Sequence, residues 1–223
     1  PWSGSGKGLN WCLHGFTKPV SNWCERVLRE QGCLTAEPIY NKVKDFALEF
    51  YSDGQGEVRF AGYSVFSTNE HGAYTGNLLA SDGQIEESIA CCLSLEKLTG
   101  IREALRAELA SIYGNTYTGY LGVDMMVCWS DKENGYRVHP CVEINMRMNM
   151  GVVARLFYDR FVAPGSKGCF AVEYVPDNET LRARHEQDMH DYPLTVEQGR
   201  LASGYLPLVP VTGKSCYRAY GRI

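Results

Sequence analysis

Long apolar runs and long blocks of like charge are both missing from this sequence of 223 residues. No stretch approaches the ~20 apolar residues that a helix needs to cross a bilayer. The first residues, PWSGSGKGL, are polar and lack the apolar segment of a secretory signal. With 22 basic and 26 acidic side chains, the formal charge is only −4, so no broad electrostatic attraction to nucleic acid is expected. These absences predict a soluble protein with small-molecule partners, no nucleic acid and no membrane.

The cysteines lack the spacing of a zinc site or a disulfide framework. Nine are present, an odd number, and Cys91 and Cys92 are adjacent, while several others lie within apolar runs. No C-x-x-C pair occurs. Reduced cysteines, and hence a cytoplasmic location, fit this usage best. The sequence also lacks an initial methionine, which leads us to expect that an N-terminal portion of the polypeptide is missing.

The apolar periodicity predicts an α+β protein. Hydrophobic residues make up 44% of the chain, an ordinary globular value. Alternating patterns predict long antiparallel strands at 39–51 and 57–68, and a hairpin around the SDKENG turn. Helical spacing predicts a helix after Pro19, two helices between 84 and 113 with an interruption near Gly100, and another helix at MGVVARLFYDRFV. A strand follows at 168–175. Residues 177–223 are interpreted as a C-terminal extension.

The most informative stretch is the acidic hairpin GVDMMVCWSDKENGYRVHPCVEINMR. A turn centred between Glu133 and Asn134 would place Asp124 directly opposite Glu143. Glu143, Asn145 and Arg147 are spaced by two, so they project from one face of a strand. Opposed carboxylates repel each other, and Mg²⁺, which prefers oxygen ligands, would relieve that repulsion. The alternative is a solvated polar strand face in which Arg147 pairs with one of the acids.

These residues resemble a known family. A strand with an acid, a turn and then E-x-N-x-R is similar to the metal-binding hairpin of ATP-grasp enzymes, and EINMR looks like the form found in carboxylases and carbamoyl-phosphate synthetases. PWSGSGKGL resembles the glycine-rich loop that covers phosphates, and AEPIY at 36–40 resembles the hinge that receives adenine. The resemblance implies the ATP-grasp fold, with two α+β lobes of antiparallel sheets and nucleotide bound between them. It covers residues 1–176, with the glycine-rich-loop lobe at 1–80 and the metal-binding lobe at 81–176.

The resemblance also implies roles for individual residues. Arg147 and Lys7 would be catalytic, and Asp45 would accept hydrogen bonds from the ribose. The alternative for the loop is a linker, and the alternative for Glu37, Asp45 and the nearby Glu49 is an exposed strand carboxylate. Lys42 and Lys44, expected to share one strand face, are further phosphate-binding candidates. The implied ATP contacts are Ser3, Gly4, Ser5, Gly6, Lys7, Glu37, Ile39 and Asp45, and the implied ligands of Mg²⁺, or alternatively Mn²⁺, are Asp124, Glu143 and Asn145.

The function implied by the resemblance is that of an ATP-dependent ligase. Such an enzyme activates a small-molecule carboxylate as an acyl-phosphate, which an amine or another nucleophile then attacks. One alternative is a regulatory module that binds ATP without turnover, and another is an interaction protein that binds no nucleotide. The chain departs from the family pattern because the strand and lysine expected before the glycine-rich loop, and the domain before them, are not in this sequence.

Overall fold

A computed structural model describes residues 8, 10–13, 15–69 and 73–223. The chain divides into two compact units, one of residues 1–40 with 68–74 and one of residues 41–67 with 75–223. The first unit contains helix α1 (Lys18–Gln31), which begins next to Pro19 as predicted. It ends where the N–H of Gly32, at a φ of 78°, donates to the Leu28 carbonyl at 2.9 Å. Glycine suits this left-handed position because it has no Cβ.

The second unit is built on an eight-stranded sheet in the order β5-β4-β1-β2-β3-β6-β10-β9, accompanied by the two-stranded sheet β7-β8. The pairs β1–β2, β1–β4, β4–β5, β3–β6, β6–β10 and β9–β10 are antiparallel, so the predicted α+β class is confirmed. The strands are β1 (Asn41–Asp53), β2 (Val58–Thr68), β3 (Tyr74–Leu79), β4 (Thr118–Ser130), β5 (Gly135–Asn145), β6 (Gly168–Tyr174), β7 (Thr195–Glu197), β8 (Arg200–Ser203), β9 (Tyr205–Pro207) and β10 (Tyr217–Arg222), and the helices are α2 (Asp82–Ala90), α3 (Leu95–Tyr113), α4 (Met150–Phe161) and α5 (Asn178–Asp191).

Strand β1 is a central strand, and its residues 46–50 are buried on both faces of the sheet. Phe46, Leu48 and Phe50 are fully buried, and they share a core cluster with apolar residues of α2, α3 and β4. A second apolar cluster lies around α4, β3 and β6. Because β1 pairs with both β2 and β4, the two predicted hairpins lie in one sheet. The predicted division into a glycine-rich-loop lobe at 1–80 and a metal-binding lobe at 81–176 stays a prediction.

The region between 84 and 113 forms two helices, as predicted, but the break does not lie at Gly100. Helix α2 ends at Ala90 and α3 begins at Leu95, so the break spans Cys91–Ser94. The Ser94 side chain accepts the backbone N–H of Lys97, which satisfies a donor that the first turn of α3 leaves open. Gly100 lies within α3, where a glycine costs only about 1 kcal/mol relative to alanine.

Residues 177–223 continue the main sheet, because β10 pairs with β6 and β9 pairs with β10. Helix α5 is joined to this sheet through Arg218, which is 6% exposed. Its guanidinium donates to Glu173 at 2.7 Å and to Asp188 of α5 at 2.6 Å. No described helix is long and apolar enough to cross a membrane. All nine cysteines lie in the described part of the chain, and none forms a disulfide.

The Arg218 ion pairs are expected to stabilise the C-terminal part of the sheet. Arg218→Met should lower the free energy of unfolding by about 2 kcal/mol, as measured by urea denaturation. Removing one partner of a buried pair typically costs roughly 3–5 kcal/mol. We expect less here because the side chains of Glu173 and Asp188 are 28% and 18% exposed and can be rehydrated. Arg182→Met is the control, since its contact with Glu186 is exposed at 3.7 Å, and an equal loss in both variants would contradict the prediction.

Candidate functional site

The β4–β5 hairpin places Asp124 directly opposite Glu143, as predicted. The predicted turn centre was nevertheless wrong, because Ser130 pairs with Gly135 and the turn is centred between Lys132 and Glu133. A register shift between Asp124 and Met126 restores the pairing of the two acids. Pro140 lies on β5 opposite this shift. Since proline has no N–H to donate to the ladder, it is found at bulges rather than in regular central strands.

Asn145 connects the acid pair to Arg147. Its Nδ2 donates to Asp124 Oδ2 at 3.0 Å, and its Oδ1 accepts from Arg147 Nη2 at 2.7 Å. Asn145 is buried, whereas Arg147 and Glu143 are exposed. The chain of hydrogen bonds therefore orients a carboxylate and a guanidinium through one amide. In this arrangement the Asn145 oxygen accepts from Arg147, and the nitrogen rather than the oxygen faces Asp124. The role of Asn145 as a metal ligand therefore stays a prediction.

The surroundings of Asp124 favour the binding of a cation. The pKa of Asp124 is raised to about 6, mainly by burial and also by the nearby charges of Glu143 and Asp45, against the lowering effects of Asn145 and Arg147. A bound cation would favour the ionised carboxylate and offset these effects. Within the described residues, no group of three or more His, Cys, Asp or Glu side chains could hold a metal ion. The facing carboxyl groups of Asp124 and Glu143 fit Mg²⁺, which is usually bound by one or two carboxylates together with water and substrate phosphates.

A second acid, Glu49 of β1, is buried close to this site. It is 1% exposed, and its Oε2 accepts from Asn149 Nδ2 at 2.9 Å. Asn149 also caps α4, because its Oδ1 accepts the N–H of Val152 at 2.9 Å. On the other side, Ser64 contacts Glu49 and accepts from Asn77 Nδ2 at 2.8 Å. Glu49 thus links β1 to β2, β3 and the start of α4, which follows the E-x-N-x-R strand.

Two glycines leave the space that the Glu49 carboxyl group occupies. A Cβ at Gly122 would lie 2.4 Å from Oε2 of Glu49, and a Cβ at Gly151 would lie 2.1 Å from Oε1. This enclosure raises the pKa of Glu49 to about 8, with burial as the main cause and Asp124 as a further one. The alternative of an exposed strand carboxylate is therefore wrong for Glu49. The sequence did contain one signal of this burial, since Glu49 lies within the apolar stretch FALEF. A fully buried acid also needs partners, and those come from other parts of the chain.

The predicted ribose-binding residue Asp45 lies on β1 near the acid pair, since its charge contributes to the raised pKa of Asp124. Its side chain is 14% exposed and forms an ion pair with Lys42. A register shift between Lys42 and Lys44 changes the alternation of β1. Lys44 donates instead to the carbonyl of Ser88 in α2. Lys42 and Lys44 therefore point to different partners, and the expectation that they share one face was wrong.

The other predicted nucleotide contacts lie away from this hairpin in sequence. Ser3, Gly4, Ser5, Gly6 and Lys7 lie outside the described residues. Glu37 and Ile39 belong to the first compact unit, and both side chains are exposed. The roles of all these residues stay predictions.

Comparisons with known proteins identify the fold. The sequence matches no protein-family model and no curated protein. The structure is similar to the biotin carboxylase domain of 2-oxoglutarate carboxylase from Hydrogenobacter thermophilus, solved with MgADP, ADP and bicarbonate. The TM-score is 0.54 at 12% identity, over 98% of this chain and 50% of that one. It is also similar to biotin carboxylase from Campylobacter jejuni, solved as a β-γ-ATP complex, with a TM-score of 0.51 at 12% identity over 99% of this chain and 51% of that one.

The chain thus spans about half the length of these two solved chains. At 12% identity the similarity concerns the fold, which includes the strands that carry Glu49, Asp124 and Glu143. The chain therefore has the α+β fold of these biotin carboxylases, which is the ATP-grasp fold that its acidic hairpin predicted.

Proposed function

We propose that the protein is an ATP-dependent ligase of the ATP-grasp type, which activates a small-molecule carboxylate as an acyl-phosphate for attack by an amine or another nucleophile. The observation that carries the proposal is the pairing of Asp124 with Glu143 and the hydrogen-bonded connection to Arg147. The fold supports it, because one similar solved structure contains MgADP and bicarbonate, a nucleotide and a small oxyanion.

Asp124 and Glu143 are the proposed ligands of Mg²⁺, with Mn²⁺ as the alternative and Asn145 as a further candidate ligand. When bound, the ion would supply positive charge to the phosphate oxygens of ATP. Asn145 holds the Asp124 carboxylate in place through its 3.0 Å hydrogen bond. The exposed fork of Arg147 suits two parallel hydrogen bonds to the transferred phosphoryl group. Since Asn145 also contacts Arg147, it sets the position of that fork relative to the acids.

The proposed chemistry has two steps. A carboxylate oxygen of the substrate attacks the γ-phosphorus, the bond to the β-γ bridging oxygen breaks, and ADP leaves with that electron pair. The nucleophile then attacks the carbonyl carbon of the acyl-phosphate, phosphate leaves, and the proton of the nucleophile passes to solvent. The contribution of the chain is the positioning of the reactants and the stabilisation of the charge on the phosphoryl oxygens.

The remaining predicted roles form part of the same proposal. The loop Ser3–Lys7 would cover the phosphates with backbone N–H groups and the Lys7 ammonium. Glu37 and Ile39 would contact the adenine, and Asp45 would accept hydrogen bonds from the ribose hydroxyls. Nine cysteines without a disulfide support a reducing location such as the cytoplasm.

Trapping with hydroxylamine tests this function, because hydroxylamine converts an acyl-phosphate into a stable hydroxamate. The chain, incubated with MgATP and a panel of carboxylates that includes bicarbonate, should release ADP when the correct acid is present, and a stable acyl-phosphate should then yield hydroxamate. Arg147→Met should lower the rate of ADP release by about 100-fold, since loss of one charge-stabilising donor typically costs 10²–10³. Arg147→Lys retains the positive charge but lacks the guanidinium fork. Its rate of ADP release should therefore lie between those of the wild type and Arg147→Met.

Arg137→Met is the matched control for Arg147, because Arg137 lies near the start of β5, the strand that Arg147 follows, and pairs with the exposed Glu133 at the hairpin tip. Its rate of ADP release should be unchanged. Binding of MgATP with no ADP release under any condition would instead support the non-catalytic ATP-binding module. Failure of MgATP to raise the melting temperature would contradict both and leave an interaction protein.

A further inference from the structure

Two adjacent thiols lie in the break between α2 and α3, far in sequence from the acidic hairpin. The Sγ atoms of Cys91 and Cys92 are 3.2 Å apart. Cys91 is exposed and Cys92 is partly buried, so Cys91 is the more accessible of the two residues. The Cys91 thiol is also 3.6 Å from the carbonyl of Ser88, which accepts the Lys44 ammonium as well.

The distance between the two sulfurs is short enough for a disulfide to form with a small movement. A disulfide bond is about 2.05 Å long, so the sulfurs need to approach by roughly 1.2 Å. The Cα atoms of adjacent residues are about 3.8 Å apart, below the roughly 4.4–6.8 Å of ordinary disulfides. Such a bond is strained, and strained disulfides are more readily reduced than structural ones. The pair therefore suits reversible oxidation.

Cys92 also lines an open cavity of about 710 Å³ between the start of α3 and strand β5. The charged side chains that line it are Lys97 and Arg137, which are basic, and Glu133, which is acidic. The cavity also includes Ser94, which caps the N-terminus of α3, where the helix dipole favours anions. Since Arg137 and Glu133 pair with each other, Lys97 and the N-terminus of α3 set the potential of the cavity, which favours a small anionic molecule over a cationic one.

We propose that Cys91 and Cys92 form a redox-active dithiol, which a small anionic disulfide of the glutathione type oxidises to a vicinal disulfide. The Cys91 thiolate attacks one sulfur of the small disulfide, which leaves a mixed disulfide on Cys91 and releases one thiolate. The Cys92 thiolate then attacks the Cys91 sulfur, forms the vicinal bond and releases the second thiolate. Two protein thiols are oxidised, one small disulfide is reduced to two thiols, and the two protons pass to those thiols or to solvent.

Mass spectrometry of the intact chain treated with oxidised glutathione tests the proposal. Free thiols are blocked after the reaction, and the chain is cut with trypsin. The fragment between Arg59 and Lys97 contains Cys91 and Cys92 and no other cysteine. We expect this fragment to lose two hydrogens, to carry no glutathionyl group and no blocking group, and to recover both thiols after treatment with dithiothreitol.

Single variants separate the two steps of the reaction. Cys92→Ser lacks the second thiol, so its fragment should retain one glutathionyl group on Cys91. The exposed Cys33 has no adjacent cysteine and should likewise stop at the glutathionyl adduct in every protein. In urea, where the 3.2 Å arrangement is lost, the wild-type fragment should end mainly as glutathionyl adducts.

Each of these results would overturn the proposal: two unreacted thiols in the wild-type fragment, stable glutathionyl groups on it, or an equal yield of the vicinal disulfide in urea. A disulfide to a different fragment would do the same, because it would show that another cysteine is the partner. None of these readouts depends on ATP or on ligase activity, so the outcome is separate from that of the proposed function.

Discussion

Asp124→Asn and Glu143→Gln are each expected to abolish the stabilisation of the chain by MgATP. A ligand at 100 times its Kd stabilises the folded state by about 2.7 kcal/mol. For a chain of this size, each kcal/mol corresponds to a rise of roughly 2–4 °C in melting temperature. The wild-type chain should therefore show a rise of about 5–10 °C with MgATP, and both variants should show almost none. Turnover should fall by about 1000-fold, because each variant would lack one of the two charged ligands proposed to hold the phosphate-bound cation.

The reason for the expected loss is that the two acids act as a pair. They face each other across β4 and β5, so in the proposed metal site the loss of either one would leave a single carboxylate to hold the ion. Glu133→Gln is the matched control, because Glu133 is exposed at the tip of the same hairpin and pairs with Arg137. A full MgATP response in Asp124→Asn or Glu143→Gln would refute the metal site. A response lost in Glu133→Gln as well would show that the hairpin had unfolded.

Glu49→Gln is expected to remove most of the dependence of stability on pH above pH 6. The pKa of Glu49 is about 8 in the folded chain, against an ordinary value of 4.5. Between these two pH values the folded chain binds a proton that the unfolded chain has lost. The free energy of unfolding therefore falls as the pH rises from 4.5 to about 8 and is constant above that. Complete loss of this contribution lowers the free energy of unfolding by about 5 kcal/mol.

Asp124 also makes the free energy of unfolding fall with rising pH, because its pKa is raised to about 6 in the folded chain. Most of its effect is complete by about pH 6. Urea denaturation at pH 6 and pH 9 therefore isolates the part that belongs to Glu49. Between pH 6 and pH 9 the free energy of unfolding should fall by about 2–3 kcal/mol more in the wild-type chain than in Glu49→Gln. Glutamine keeps an oxygen that can accept from Asn149, so the variant should remain folded at both pH values.

Glu57→Gln is the control for the Glu49 experiment, because the Glu57 side chain is 62% exposed at the end of the β1–β2 turn. Its pH dependence should match that of the wild type. If Glu49→Gln retains the wild-type slope between pH 6 and pH 9, Glu49 is already ionised in the folded chain, and the enclosed neutral carboxyl group is ruled out.

The acidic hairpin illustrates how far local patterns reach. The turn residues and the alternation on both sides predicted that Asp124 would face Glu143, and this pairing is present. The reason given for it was wrong, because the turn lies one residue earlier and a register shift opposite Pro140 compensates. Turn composition limits the centre of a hairpin to a few positions. It does not report a bulge within the strands, because a bulge is stabilised by the pairing of both strands together.

Strand β1 illustrates what local patterns miss. The alternation predicted an antiparallel strand at 39–51 but not its place in the sheet, whereas β1 lies between β2 and β4 and is covered on both faces. Glu49 is buried for this reason, and the space for its carboxyl group comes from Gly122 and Gly151, which are distant in sequence. A window of ten residues around Glu49 contains none of these partners.

The amino-acid sequence by itself determined the α+β class, the approximate positions of the strands and helices, and the pairing of Asp124 with Glu143. These features follow from side-chain periodicity and turn chemistry, which act between residues close together in the chain. Only the tertiary structure decided that both hairpins share one sheet, that Glu49 is enclosed beside the acid pair, and that Cys92 lines a cavity with Lys97 and Arg137. These features depend on contacts between segments far apart in the sequence, and such contacts form only when the core packs.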